Sequence, residues 1–179
     1  MSAESALVVL IPEAEVAVGS LRQRLHPSAA LGLPAHVTIL YPFKPAAELT
    51  LDVIDKLAEL FARVPPFDVS FSEPKVFPRV LYLASDPDAP FRRLTAIISE
   101  QFPEHRPYRG EFKDVIPHLT VAHADDSQQL AMIASEFADH AESLLPIWAS
   151  VTEVALLDNE SGSWQVRKKF NLKTCAGDS

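Results

Sequence analysis

The chain has 179 residues, of which 47% are apolar and 22% charged, so it is long enough to bury a substantial core and too apolar to be disordered. A formal net charge of −8 excludes a general DNA- or RNA-coating protein, which needs an extended basic face, but leaves room for a small nucleotide or an RNA end. One cysteine, Cys175, excludes an intrachain disulfide and a thiolate metal cluster; with no basic leader and no run of about 20 apolar residues, a cytoplasmic protein without a membrane span is expected.

Residues 6–11 are a continuous apolar run closed by Pro12, which predicts a buried strand. Pro12, Glu13 and Glu15 open a helix expected over 13–25, its apolar stripe made by Ala14, Ala17, Leu21 and Leu25. A loop ending in Gly32 and Pro34 leads directly into a short strand closed by Pro42 and Pro45. The next helix carries Val53, Ile54, Leu57, Leu60 and Phe61 on one side and Asp52, Asp55, Lys56 and Glu59 on the other, and Pro65-Pro66 stops it. Alternation at Phe67, Val69 and Phe71 predicts a strand, with a second at 80–84 and the turn between them marked by Pro74 and Pro78.

A third helix follows, with Phe91, Leu94, Ile97, Ile98 and Phe102 at helical spacing, and then an irregular polar stretch, 104–113. The strand at 116–122 comes next, followed by a helix from a Ser127 cap through Leu130, Ile133, Phe137 and Ala141. The strand after Pro146 changes parity between Val151 and Val154, which predicts a bulge, and Trp164, Val166, Phe170 and Leu172 alternate in a final strand.

In this order the elements repeat. Helix, strand, helix, strand, turn, strand describes 13–84 and describes 90–172 again, without a linker between the halves. One bilobal domain built on a pseudo-twofold is therefore expected over 1–179. The repeat coincides with a motif: His36-Val37-Thr38 in the first half returns as His118-Leu119-Thr120 in the second, 82 residues later (118 − 36). Residues i and i+2 of a strand share a face, so each histidine lies beside its threonine while Val37, Ile39, Leu119 and Val121 face a core. Six histidines and six threonines in this length predict only roughly 0.2 chance occurrences of His-x-Thr. Paired imidazoles titrate near neutrality, so one can be base while the other is acid, and the two hydroxyls can donate to oxygens that gain charge. Such a set suits in-line displacement at phosphorus without a metal.

The paired His-x-Thr strands, with an aromatic residue and prolines after the first and a proline before the second, resemble the two-histidine phosphoesterase superfamily, which includes 2′,3′-cyclic phosphodiesterases and 2′-5′ RNA ligases. The resemblance spans the chain in element order and is sharpest around 36–43 and 117–121. It implies an α+β fold of two antiparallel sheets flanking a central cleft with helices outside. It further implies catalysis by His36 and His118 with Thr38 and Thr120 on the phosphate, needing neither metal nor cofactor, on 2′,3′-cyclic or 2′-5′-linked phosphodiesters. The implied partner is a small phosphodiester nucleotide or a short RNA end, not DNA and not a membrane, met by a monomer; RNA end processing and 2′-5′ ligation fall within the same range. The acidic charge favours a small ester over a long RNA.

Three further residues are weaker substrate contacts. Tyr41 has core parity relative to His36 unless Pro42 twists the strand end. Tyr82 can stack a base or simply pack. Arg109, in the irregular stretch, can reach phosphate or remain a solvated loop cation. His123 has core parity and reads as structural, His26, His105 and His140 as solvated, Arg167 and Lys169 as facing either cleft or solvent, and Lys168 interrupts an apolar register without an account. Two competing readings remain: a non-catalytic nucleotide- or phosphate-binding module on the same fold, and a metal hydrolase, for which no His-Glu-x-x-His or similar spacing exists.

Overall fold

A computed structural model describes residues 3–174; Cys175 lies outside the described residues. Eight strands and five helices follow one another as β1 (Ser5–Leu10), α1 (Glu15–Leu25), α2 (Pro27–Ala30), β2 (His36–Leu40), α3 (Leu51–Phe61), β3 (Phe67–Phe77), β4 (Val80–Asp86), α4 (Ala89–Gln101), β5 (His118–His123), α5 (Ser127–Ala141), β6 (Ile147–Val151), β7 (Glu153–Asp158) and β8 (Gln165–Asn171). Capping sets the helix starts: the Thr50 hydroxyl accepts from the Val53 N–H and the Asp126 carboxylate from the Gln129 N–H. No helix among the described residues is long and apolar enough to cross a membrane.

The α+β class stands, but the two expected sheets are one. All strands join a single antiparallel sheet in the order β6-β3-β4-β5-β2-β1-β7-β8. The two histidine strands are what join its halves, through the pair Val37↔Leu119. Only Thr152 separates β6, at one end of the sheet, from β7 near the other, so the sheet must curl for its ends to share that corner. The bulge expected there is thus a change of strand partner. Strands from the two ends of the chain interleave: β3 pairs with β4 and β6, while β7 pairs with β1 and β8.

One face of the sheet and the helices bury the main core. Val37, Ile39, Leu119 and Val121 meet Leu21 of α1, Leu57 of α3, Leu94 of α4 and Phe137 of α5, all at most 2% exposed. Burying a side chain of this size contributes about 1.5–3 kcal/mol, so this layer holds the histidine strands in place from behind. The opposite face carries a second, smaller apolar cluster of Ala6, Val8, Leu33, Ala155, Leu157 and Trp164.

Single-residue bulges set which face a side chain reaches. Leu7 pairs with Leu40 but Val8 with Thr38, leaving Ile39 as the extra residue of β2; its carbonyl accepts from the Thr95 hydroxyl at 2.9 Å. The same defect recurs in β5, where Leu81 pairs with Ala122 and Tyr82 with Thr120, skipping Val121. Strand β3 runs on through Pro74, tolerated because the ladder breaks there, and turns at Arg79, whose φ is 65°. In β8 the register slips past Arg167, sending Val166 and Trp164 to the other face from Phe170 and Leu172. That slip ends the expected apolar alternation, leaves Lys168 exposed opposite Leu156, and puts Arg167 and Lys169 on Asp158 and Glu153.

Candidate active site

Antiparallel pairing of Val37 with Leu119 fixes the geometry of the motif. Extending that register one residue each way sets His36 across from Thr120 and Thr38 across from His118, a square of alternating imidazoles and hydroxyls. The two histidines are diagonal neighbours, with Cβ atoms about 7–8 Å apart, a span one phosphate can bridge. All four side chains line one cavity of about 790 Å³.

Each histidine is held the same way. The His36 Nδ1–H donates to the Pro34 carbonyl at 2.7 Å, and the His118 Nδ1–H to the Ile116 carbonyl at 2.7 Å. A carbonyl can only accept, so Nδ1 carries the proton and Nε2 of the neutral ring is the free lone pair. Burial lowers the pKa of His36 to about 4, with the nearby Arg22 charge pushing the same way and the Pro34 bond opposing. His118 is lowered too, again chiefly by burial. Both rings are therefore neutral near pH 7.

Arg22 is the residue that sequence reasoning missed most. It is 1% exposed, and its guanidinium donates to three carbonyls: Thr120 at 2.9 Å, Leu33 at 2.9 Å and Pro34 at 3.1 Å. One side chain of α1 thus ties the segment entering β2 to strand β5 beneath the site. Two turns earlier on α1, Glu15 accepts from the Ala35 N–H at 2.6 Å. The signal was present: Val18, Leu21, Arg22 and Leu25 form one helical stripe, and a charge on an apolar stripe needs buried partners.

The bulges correct two parity arguments. Past Ile39 the strand faces exchange, so Tyr41 joins the cleft wall, its hydroxyl donating to Glu4 at 2.6 Å and its ring edge-on to Trp164 at 6.1 Å. Past Val121 the same exchange brings His123 to the cleft. Tyr41 and His123 hold equivalent places, five residues after His36 and His118. His26, expected in solvent, also lines the cleft: its ring meets His123 edge-on at 4.8 Å, and burial, then the Arg22 and His123 charges, lower its pKa to about 3.

Two of the expected weak substrate contacts, Tyr82 and Arg109, are not on the cleft wall. Tyr82 is 5% exposed and stacked under Phe77 at 4.1 Å, with His118 edge-on to both rings, so Phe77 takes the place on the wall. Arg109 is not on the wall; its guanidinium binds Glu4 at 2.9 Å outside the cleft. The cause is backbone geometry: Tyr108 and Arg109 both have left-handed φ, 49° and 57°, uncommon for side-chain-bearing residues. Those angles turn Tyr108 inward, where the Thr38 hydroxyl tempers the rise that burial gives its phenol pKa, and its N–H bonds the Tyr41 carbonyl at 2.6 Å. His105 packs on Phe43 beside Lys44, and His140 stays on the surface.

Comparisons with known proteins agree with this architecture. Crystal structures of E. coli LigT share the fold: the complex with NADP+ aligns with a TM-score of 0.57 at 18% identity, covering 97% of this chain and 99% of that one. The protein TT0787 of Thermus thermophilus aligns with a TM-score of 0.58 at 20% identity over 95% of this chain and 98% of that one. A further crystal structure described as a phosphoesterase gives 0.57 at 19% identity, over 96% and 99%. No curated protein sequence matches the chain. The model of the 2′-5′ RNA ligase superfamily matches residues 11–163, both histidine strands included, and the chain belongs to that family.

Proposed function

We propose that the protein is a metal-independent phosphodiesterase that opens 2′,3′-cyclic or 2′-5′-linked nucleotide phosphodiesters with His36 and His118 as a general acid–base pair. The observation that carries this reading is the doubled clamp: two imidazoles on paired strands, each fixed through Nδ1 to a carbonyl at 2.7 Å, each with Nε2 free beside the other's threonine. A phosphodiester anion between them raises the affinity of one ring for a proton. The neutral ring then takes the proton of the attacking hydroxyl or water, and the protonated ring gives its own to the leaving oxygen. Thr38 and Thr120 donate to the non-bridging oxygens as charge gathers there. Run in reverse, the same transfers join a 5′-hydroxyl to a 2′,3′-cyclic end, which is 2′-5′ ligation.

Structures of E. coli LigT have been solved with NADP+, 3′-AMP and ATP, which supports a nucleotide as the ligand class here. The test is a product assay on 2′,3′-cyclic nucleotides and short 2′-5′-linked RNAs with chelator present. Turnover is expected for the wild type, and His36→Ala and His118→Ala should each lose about 10²-fold or more in kcat while unfolding normally in urea. Full activity in either folded variant would remove the mechanism.

A further inference from the structure

The cleft does not end at the square of histidines and threonines. His26 and His123 line it and also line a second cavity of about 280 Å³, whose other walls include Gln23, Arg24, Asp125 and Gln129. Their rings meet edge-on at 4.8 Å, so the pair forms the sill between the two spaces. His123 lies three residues beyond Thr120 on β5, roughly 10 Å along the strand. That is a distance a nucleoside spans from a phosphate held between His36 and His118.

The chemistry of this end fits a nucleobase better than a phosphate. Burial, and then the Arg22 charge, lowers the pKa of both imidazoles, to about 3 for His26, so each is a flat uncharged ring near pH 7. The His26 Nδ1 accepts from the Ala29 N–H at 3.4 Å, which puts the ring proton on Nε2 as a donor. Gln23 gives its NH2 to the Ala29 carbonyl at 3.4 Å, and Gln129 gives its carbonyl to the Asp125 N–H. One amide thus keeps an acceptor and the other keeps donors. Arg24 is taken by Glu136 at 2.7 Å, and the Asp125 carboxylate repels an anion. Flat rings beside mixed donors and acceptors are how proteins take an unpaired base, by stacking on its face and bonding its edge. Arg79 stands at the rim, its carbonyl accepting from the Ala124 N–H at 2.8 Å and its side chain exposed, so a longer strand meets a cation as it leaves.

We propose that the His26–His123 end of the cleft is a nucleoside subsite: one base of a dinucleoside phosphodiester lies against these two rings, its edge toward Gln23, Asp125 and Gln129, while its phosphate sits between His36 and His118. The subsite rests on the reading of the protein as a phosphodiesterase and names which arm of the substrate is recognised, and by what.

The experiment uses the 2′-5′-linked dinucleotide of adenosine and two analogues in which hydrogen replaces one base or the other. Each is turned over by wild type, His123→Ala and His26→Asn; asparagine keeps a capping side chain for α2 while removing the ring. For one of the two bases, removal should lower the wild-type kcat/KM by about tenfold or more, chiefly through KM. The same removal should cost either variant no more than about threefold, and His123→Phe, which keeps a flat ring, should recover most of the wild-type difference. The subsite is overturned if neither base affects the wild type. It is equally overturned if removing each base costs the wild type and the variants alike, both variants being shown folded by their urea transitions. A purely packing role for the two rings gives that outcome, because it slows all three substrates together. Turnover of none of the three by the wild type would instead refute the paired-histidine reading, and the subsite with it.

Discussion

Replacing Arg22 by methionine tests the electrostatic frame of the site. The guanidinium is 1% exposed and makes three bonds to carbonyls, so its removal strands three acceptors in the interior. Bonds from a charged donor are worth about 1.5–3 kcal/mol each, and the relief of the buried charge offsets part of that sum. A net loss of about 3–5 kcal/mol follows, large against a total stability of about 5–15 kcal/mol yet survivable. A second readout separates this from generic packing damage. Arg22 depresses the pKa of His36 and of His123, whereas its charge is not among the causes acting on His118. In Arg22→Met the histidine ring resonances of His36 should titrate at higher pH than the wild type's value of about 4, still below 6.5 because burial remains the larger cause. His118 should move little. Urea unfolding and an NMR pH titration of the rings measure both. Wild-type stability together with an unmoved His36 midpoint would refute the reasoning.

Two pH effects follow from the same depressed rings. Because kcat/KM reports the free enzyme, and catalysis needs one ring neutral and one protonated, its maximum should lie between about 4 and 6.5, the span between the His36 value and the unperturbed one; a maximum at pH 7 or above would contradict it. For stability the sign runs the other way from a salt-bridged histidine: the unfolded chain takes up the proton near pH 6.5 but the native one only near 4, so stability is full above 6.5 and falls as pH drops to 4. His36 alone accounts for about 3 kcal/mol of that fall, and His36→Asn should lose less stability than wild type between pH 7 and pH 4 in urea melts. Parallel losses in the two proteins would count against it.

Much of the fold was legible because hydrophobic periodicity carries it. The apolar run of β1, the stripes of α3 and α4, and the reversal of strand faces around Val37 and Leu119 all reflect burial, which a side chain's chemistry reports directly. The histidine pairs were legible for the complementary reason: polar residues at alternate positions of apolar strands need somewhere to go. What failed was parity beyond a bulge. Nothing in the side chains of Ile39 or Val121 marks them as the extra residue, because the slip is set by strand pairing. Tyr41 and His123 were therefore assigned to the wrong face. Sheet order was hidden for a related reason, since the partner exchange at Thr152 and the interleaving of the two halves are tertiary choices. Tyr108 depends on two left-handed backbone angles that no glycine announces.

The near-symmetry of the site leaves one question that the asymmetry of its surroundings answers. His36 and His118 have the same clamp, so their roles differ only through what lies around them. His36 is 8% exposed and feels Arg22, while His118 is half-buried and does not. When a phosphodiester anion enters, the first proton goes to the ring where a positive charge costs less, which is His118. On the proposed mechanism, His118 is then expected to act as the acid toward the leaving oxygen and His36 as the base toward water. An ester with a nitrophenolate leaving group needs no proton on departure, whereas a cyclic nucleotide does. His118→Ala should thus lose about 10²-fold or more in kcat on a cyclic nucleotide but far less on the nitrophenyl ester, and His36→Ala should lose comparably on both. The opposite pattern would exchange the roles, and it would mean that the field of Arg22 is not what breaks the symmetry.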